Sequence, residues 1–154
     1  MPANVRVGAT SAASIQNSPP GSNIPRVWFN RIDFENPQGT IIIGASPFSK
    51  LNVPFSGLYH VVANVRWFSG GGGTLRGIGI AKNGTPTSAN WLVWRAVPPF
   101  SGPSNEAYTL DIEVTASLNA GDYLEVGVRQ DSGVNQVITG GLLSTPVFGF
   151  VKIE

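Results

Sequence analysis

Val53-Pro54-Phe55-Ser56-Gly57-Leu58-Tyr59-His60-Val61-Val62-Ala63-Asn64-Val65-Arg66-Trp67 is the stretch that decides the fold. Pro54 fixes its own φ and Gly57 allows a tight entry, so the segment begins as a turn. From there Tyr59, Val61, Ala63, Val65 and Trp67 share one face, with His60, Asn64 and Arg66 on the other. Such period-two alternation is the pattern of a half-buried strand in an antiparallel sheet.

The same pattern recurs outward along the chain. Tyr108, Leu110, Ile112, Val114 and Ala116 alternate with Thr109, Asp111, Glu113 and Thr115, the cleanest amphipathic strand in the sequence. Residues 75–82, 91–97, 123–130, 138 and 147–153 supply further strands. Arg26-Val27-Trp28-Phe29 and Ile32-Asp33-Phe34 read as strand and bend, and Asn36-Pro37-Gln38-Gly39 as a turn into a β-branched strand over 40–44. Gly70-Gly71-Gly72-Gly73 is a flexible connection. Asn83-Gly84 predicts a type I′ hairpin, in which both central residues need positive φ. Helical periodicity is missing throughout. The expectation is an all-β chain of about eight to ten strands, consistent with an antiparallel sandwich.

Residues 1–25 read differently from the domain at 26–154. Ser11 to Asn23 is small, polar and Pro-rich, too poor in apolar side chains for a core of its own. Val5 to Ala9 is strand-capable. Together they suggest an extended N-terminal arm, with Val5, Arg6 and Val7 as the piece that attaches to a partner by strand addition. An ordinary first strand followed by a loose loop is the competing reading.

Composition narrows the functions open to the chain. At 154 residues one domain can bury roughly 70% of its unfolded surface without disulfides or metal. Charged residues make up only 12%, about half the usual share, which suggests that partner subunits cover much of the surface. Ten basic residues against nine acidic ones leave no basic stripe for nucleic acid. With no cysteine there is no thiolate chemistry, disulfide framework or Cys-based metal site. The N-terminus lacks a signal-peptide core, and no apolar run reaches the length of a membrane span. Synthesis in a cytoplasm is expected.

Candidate chemistry mostly falls away. His60 is the one histidine and sits on a polar strand face, short of the base–carboxylate–nucleophile set that a triad needs. Asp111 and Glu113 share a face with Thr109 and Thr115, the look of a solvated surface and not of a glycosidase cleft. The glycine run at 70–73 lacks the Lys-Ser/Thr ending of a phosphate loop. Asn83-Gly84-Thr85 matches a glycosylation sequon but reads as a hairpin. Asp131, Ser132 and Asn135, with Asp122, are the oxygen donors that calcium would use; no other cofactor is expected. Trp91 and Trp94, three apart, fall on opposite faces of a regular strand, so one of them faces outward, against a neighbour or a sugar.

Pro54 to Tyr59, Asn83-Gly84-Thr85, Leu118 to Leu124 with its Gly121-Asp122 turn, Gln130-Asp131-Ser132-Gly133 and Phe148-Gly149-Phe150 occur in a telling order. In that order the chain resembles the globular head of the first complement component and the tumour necrosis factor family. Within that superfamily it looks most like small stand-alone members encoded by bacteria and tailed phages. The resemblance implies a two-sheet antiparallel jelly-roll sandwich that assembles as a homotrimer, with Tyr59, Trp67, Tyr123, Phe148 and Phe150 in the core or at the trimer contact. Trp91 and Trp94 are expected at a subunit contact on the separate ground of their outward face. The resemblance also leads to a non-enzymatic virion component, a capsid decoration (cement) protein bound to the major capsid protein or another virion protein. The alternative is a carbohydrate- or receptor-binding head of a phage fibre or bacterial surface appendage, with a glycan at Trp91, Trp94 or Arg95.

Overall fold

The computed structural model describes residues 2–10, 13–18, 24–38, 41–42, 46–68, 72–87, 89–102, 106–140 and 146–154, with the backbone alone at Ser14. Gly70, Gly71, the 19–23 part of the Pro-rich spacer and most of the strand expected at 40–44 lie outside them. Among the described residues are eleven strands and no helix: β1 Asn4–Gly8, β2 Ala13–Ile15, β3 Arg31–Asn36, β4 Lys50–Asn52, β5 Gly57–Phe68, β6 Arg76–Lys82, β7 Trp91–Val97, β8 Ala107–Leu118, β9 Tyr123–Gln130, β10 Gln136–Ile138 and β11 Val147–Lys152.

β5 is the axis of the larger sheet. It pairs along its whole length with β8, from Gly57↔Leu118 to Phe68↔Ala107. Its other edge takes β11 over Tyr59 to Asn64 and β10 at Trp67. The order is β2-β10-β5-β11-β1-β3 with β8 on the far edge of β5, facing a smaller sheet β4-β9-β6-β7. Every pairing between these strands is antiparallel. Period two aims Tyr59, Val61, Val65 and Trp67 between the sheets, against Ile78, Ile80, Leu124, Val126, Phe148 and Phe150. Burying each large apolar side chain contributes about 1.5–3 kcal/mol. Tyr59 meets Phe150 edge-on at 5.2 Å and donates its hydroxyl to the Phe55 carbonyl at 2.7 Å, so its polar tip is satisfied.

The N-terminal piece corrects the expectation of an arm. β1 lies inside the larger sheet, between β11 and β3, with Val5 opposite both Phe150 and Glu35. Ala3, Val5 and Val7 are buried. A strand inserted into a sheet need bring only one apolar face, because its neighbours supply the rest. Val5 and Val7, expected at a partner, are instead buried in this chain's own sheet, and of the three residues only Arg6 is exposed. Residues 13–18 and 25–27 also belong to the sandwich. β2 pairs with β10, while Ser18, Pro25 and Val27 exchange backbone hydrogen bonds with Gln130, Val128 and Val126 of β9.

Carboxylates clasp both ends of β9. At the first, Asp122 accepts from the Asn119 amide at 2.9 Å and the Asn83 side-chain amide at 2.6 Å, with Lys82 at 3.6 Å. Burial pushes its carboxyl up, but those donors and Lys82 outweigh burial and hold it below the ordinary aspartate range. At the other, Asp131 accepts from the Thr74 hydroxyl at 2.6 Å and from the Thr74 and Leu75 amides at 2.8 Å. The Thr74 hydroxyl above all lowers this group, against some desolvation. Gly73 makes the second clasp possible. Its φ is 80°, and a Cβ there would lie 2.6 Å from the Asp131 carboxylate.

Two local expectations change. Asn83 has positive φ (54°), but Gly84 does not, and residues 83–90 form a longer connection than a two-residue hairpin. Asn83 turns instead toward β9, where its side chain accepts from the Tyr123 amide at 2.8 Å. Ile41 and Ile42 are buried but lie outside the strands; their amides donate to Glu35 at 2.8 Å.

Candidate functional site

The outward face of the larger sheet is the site these strands build. Alternation sends His60, Val62, Asn64, Arg66 and Phe68 of β5 away from the core. Val62 stands between Gly149 of β11 and Glu113 of β8; Val151 stands between His60 and Asn4; Phe34 lies beside Arg6. Phe34, Val151 and Val62 are 47%, 40% and 37% exposed, and Phe68 and Val137 on the same face are also open. Phe148 and Phe150 point inward, so Gly149 leaves a gap between Val62 and Arg6. The result is a hollow of about 490 Å³ lined by Arg6, Phe34, Val62, Gly149 and Val151 among others. A second hollow, of about 560 Å³, shares Val62, Asn64 and Val147 and reaches Asp111, Glu113 and Arg95.

Charge sits around this apolar centre. Arg6 pairs with Asp33 at 3.1 Å, and Asp33 with Arg31 at 2.6 Å. His60 Nε2 lies 3.5 Å from Glu113. Arg95 reaches from the edge of the smaller sheet and donates to the Asp111 carbonyl oxygen at 3.1 Å. An apolar centre inside a charged rim is the anatomy of a protein contact surface.

The outward face of the smaller sheet is filled by the chain itself. Trp91 and Trp94 stack at 5.1 Å with an interplanar angle of 29°, on the same face and not on opposite ones. A β-bulge is the reason. Trp91 pairs with Ala81 and Val93 with Ile80, so Leu92 is an extra residue and reverses the parity of the strand. The rings lie on glycines: a Cβ at Gly77 would collide with Trp94, one at Gly79 would stand 2.6 Å from Trp91, and one at Gly127 2.7 Å from Trp91. Arg26 extends the cover, pairing with buried Glu125 at 3.0 Å and donating to Thr85 at 2.8 Å.

The aromatic residues singled out in the sequence separate into two groups. Tyr59, Trp67, Phe148 and Phe150 are core. Tyr123 is half-buried beneath Lys50, whose Nζ lies 4.4 Å from the ring centroid. Sequence reasoning passed over Phe34, Val62 and Val151; an apolar valine on the His60–Asn64–Arg66 face was the available signal. Of the expected calcium donors, Asp131, Ser132 and Asn135 follow β9 and Asp122 stands at its other end. Among the described residues no cluster of three or more His, Cys, Asp or Glu is placed to hold a metal ion.

No protein-family model matches the chain, and no curated protein matches it either. Solved structures do. Murine APRIL superposes with a TM-score of 0.67 at 15% identity, covering 99% of this chain and 100% of that one. The fold is the tumour necrosis factor-like jelly roll. The globular domain of zebrafish complement 1qA matches at TM-score 0.63 and 12% identity, over 99% of this chain and 98% of that one. Eiger TNF from S. frugiperda matches at 0.61 and 14%, over 100% and 92%.

Proposed function

We propose that the chain is a non-enzymatic subunit of a homotrimer and that the outward face of the larger sheet is its subunit contact. One observation carries this reading: Phe34, Val62 and Val151 ring a hollow that no other described side chain fills, while the corresponding face of the other sheet is closed by Trp91 and Trp94. Exposed apolar surface of this kind marks interaction sites. A closed three-fold ring lets one patch on each copy meet a different patch on the next. The number three comes from the family resemblance. Light scattering of the purified protein is expected to give about three times 16.2 kDa. A monodisperse monomer at micromolar concentration overturns the reading.

The finer assignment is a decoration protein on a phage head, with a fibre or appendage head that binds glycan or receptor as the alternative. The low charged fraction of 12% and the absence of cysteine support a chain that works inside a larger assembly. Co-sedimentation of the trimer with undecorated capsids, against glycan arrays, separates the two. Capsid binding without glycan binding favours decoration, and the reverse favours the fibre head.

A further inference from the structure

We propose that Asn83-Gly84 is a modification site of this chain, an asparagine that deamidates slowly while the β9 clasp holds it and whose conversion breaks that clasp. Asparagine before glycine is the most reactive context for this chemistry, because the following residue has no side chain to shield its amide. The Gly84 nitrogen attacks Asn83 Cγ and forms an N–C bond. The Cγ–Nδ2 bond breaks, and ammonia leaves with the proton that Gly84 gives up. Water then opens the cyclic imide at either carbonyl, to aspartate or isoaspartate.

The structure opposes the first step and amplifies the last. Asn83 Nδ2 donates to Asp122 at 2.6 Å, and Asn83 Oδ1 accepts from the Tyr123 amide at 2.8 Å. Swinging Cγ toward Gly84 breaks both bonds, so reaction needs local opening. The same commitment argues against sugar transfer at the Asn83-Gly84-Thr85 sequon, since Nδ2 is the atom a glycan would take. After deamidation the donor has become an acceptor, and two carboxylates face each other across a hydrogen-bond distance. Lys82, 3.6 Å from Asp122, is the nearby cation, while Lys50 of β4 sits over the Tyr123 ring at 4.4 Å. A single ammonium offsets part of the repulsion and cannot replace the lost donor.

Mass spectrometry of protein aged at mildly alkaline pH tests the protection. Conversion at Asn83 is expected on the order of tenfold more slowly in the folded protein than in denaturant. Equal rates overturn it. Asn83→Asp tests the consequence: its melting midpoint is expected to fall by about 4 °C or more at neutral pH. Mild acid should restore part of that loss as the two carboxyls come to share a proton. Asn83→Asp with Asp122→Asn exchanges donor and acceptor, leaves an acceptor for Asn119, and is expected to recover the midpoint. A double variant no more stable than the single one, or a single one as stable as the parent, refutes the clasp. Should the single variant not fold, the double variant and the ageing rates still decide the matter.

Discussion

The two sheets treat their outward faces in opposite ways. On the smaller sheet, Gly77, Gly79 and Gly127 form a floor on which Trp91 and Trp94 lie flat, with Arg26 tied to Glu125 beside them. On the larger sheet, Gly149 lies at the bottom of a hollow that no side chain among the described residues covers, and Phe34, Val62 and Val151 stand around it. The glycines do different work: those of the smaller sheet admit the indole rings, while Gly149 admits the β1 backbone, since a Cβ there would collide with the Val5 carbonyl oxygen. On the smaller sheet the chain supplies the covering rings; over the hollow of the larger sheet, we propose, a second copy does. The contrast separates protomer stability from association, and substitutions on the two faces should fall on different observables.

The largest expected effect is on the open face. Val62→Arg places a cation at the junction of both hollows. In the separate protomer the side chain reaches water, and stability should change by no more than about 0.5 kcal/mol. In the trimer the charge would be buried without a partner, a cost of about 2–5 kcal/mol at each contact. Scattering should show the mass falling to 16.2 kDa with the circular dichroism spectrum retained. A trimer that survives Val62→Arg would place the contact elsewhere.

Gly79→Val makes the converse test on the closed face. Its Cβ would stand 2.6 Å from Trp91 and 2.7 Å from Trp94, so the stacked indoles must move. Overpacking of this kind costs about 1–3 kcal/mol, read as a lower denaturant midpoint. The mass should stay that of the trimer. Dissociation instead of destabilisation would show that both faces serve the contact.

How much of this was legible in the sequence depends on local regularity. β5 and β8 are regular strands with one face buried, and alternation locates them within a residue or two; β9 and β11 are regular as well and bounded by turn residues, though β9 is buried on both faces. β2, β4 and β10 are too short to show a period. β1 has the alternation of a strand, but its partners β11 and β3 are distant in sequence, and a Pro-rich stretch beside it suggested an arm. Trp91 and Trp94 were misplaced because a bulge changes parity without changing composition. The open face was half legible: His60, Asn64 and Arg66 identified it as outward, but Phe34 and Val151 come from strands whose register only tertiary pairing reveals.

Acid should weaken the smaller sheet first. Asp122 and Asp131 both lie below the ordinary aspartate range when folded, and both bind β9 to the ends of β6. Groups lowered by folding stabilise the protein above the unfolded value of about 3.9, and that contribution is lost as pH falls through the folded values. Stability should therefore be level above about pH 5 and decline below about 4. Amide exchange at Thr74, Leu75, Asn119 and Tyr123 should rise before exchange along β5 and β11. Asp131→Asn should flatten part of the decline. Loss of β5 protection first would contradict this order.

Asp111→Ala should have the smallest effect, and it probes the border between the two faces. Asp111 is exposed on β8 opposite Asn64, at the rim of the second hollow. Arg95 reaches across from β7 to its carbonyl oxygen, which alanine keeps, so the tie between sheet edges survives the substitution. The protomer should lose under about 0.5 kcal/mol. A rim charge acts mainly on encounter rate and salt dependence, so the trimer should persist with a shallower response to salt. A loss above about 1 kcal/mol would mean that this carboxylate is buried on assembly. The centre of the contact would then lie on β8 near Arg95, not over Gly149.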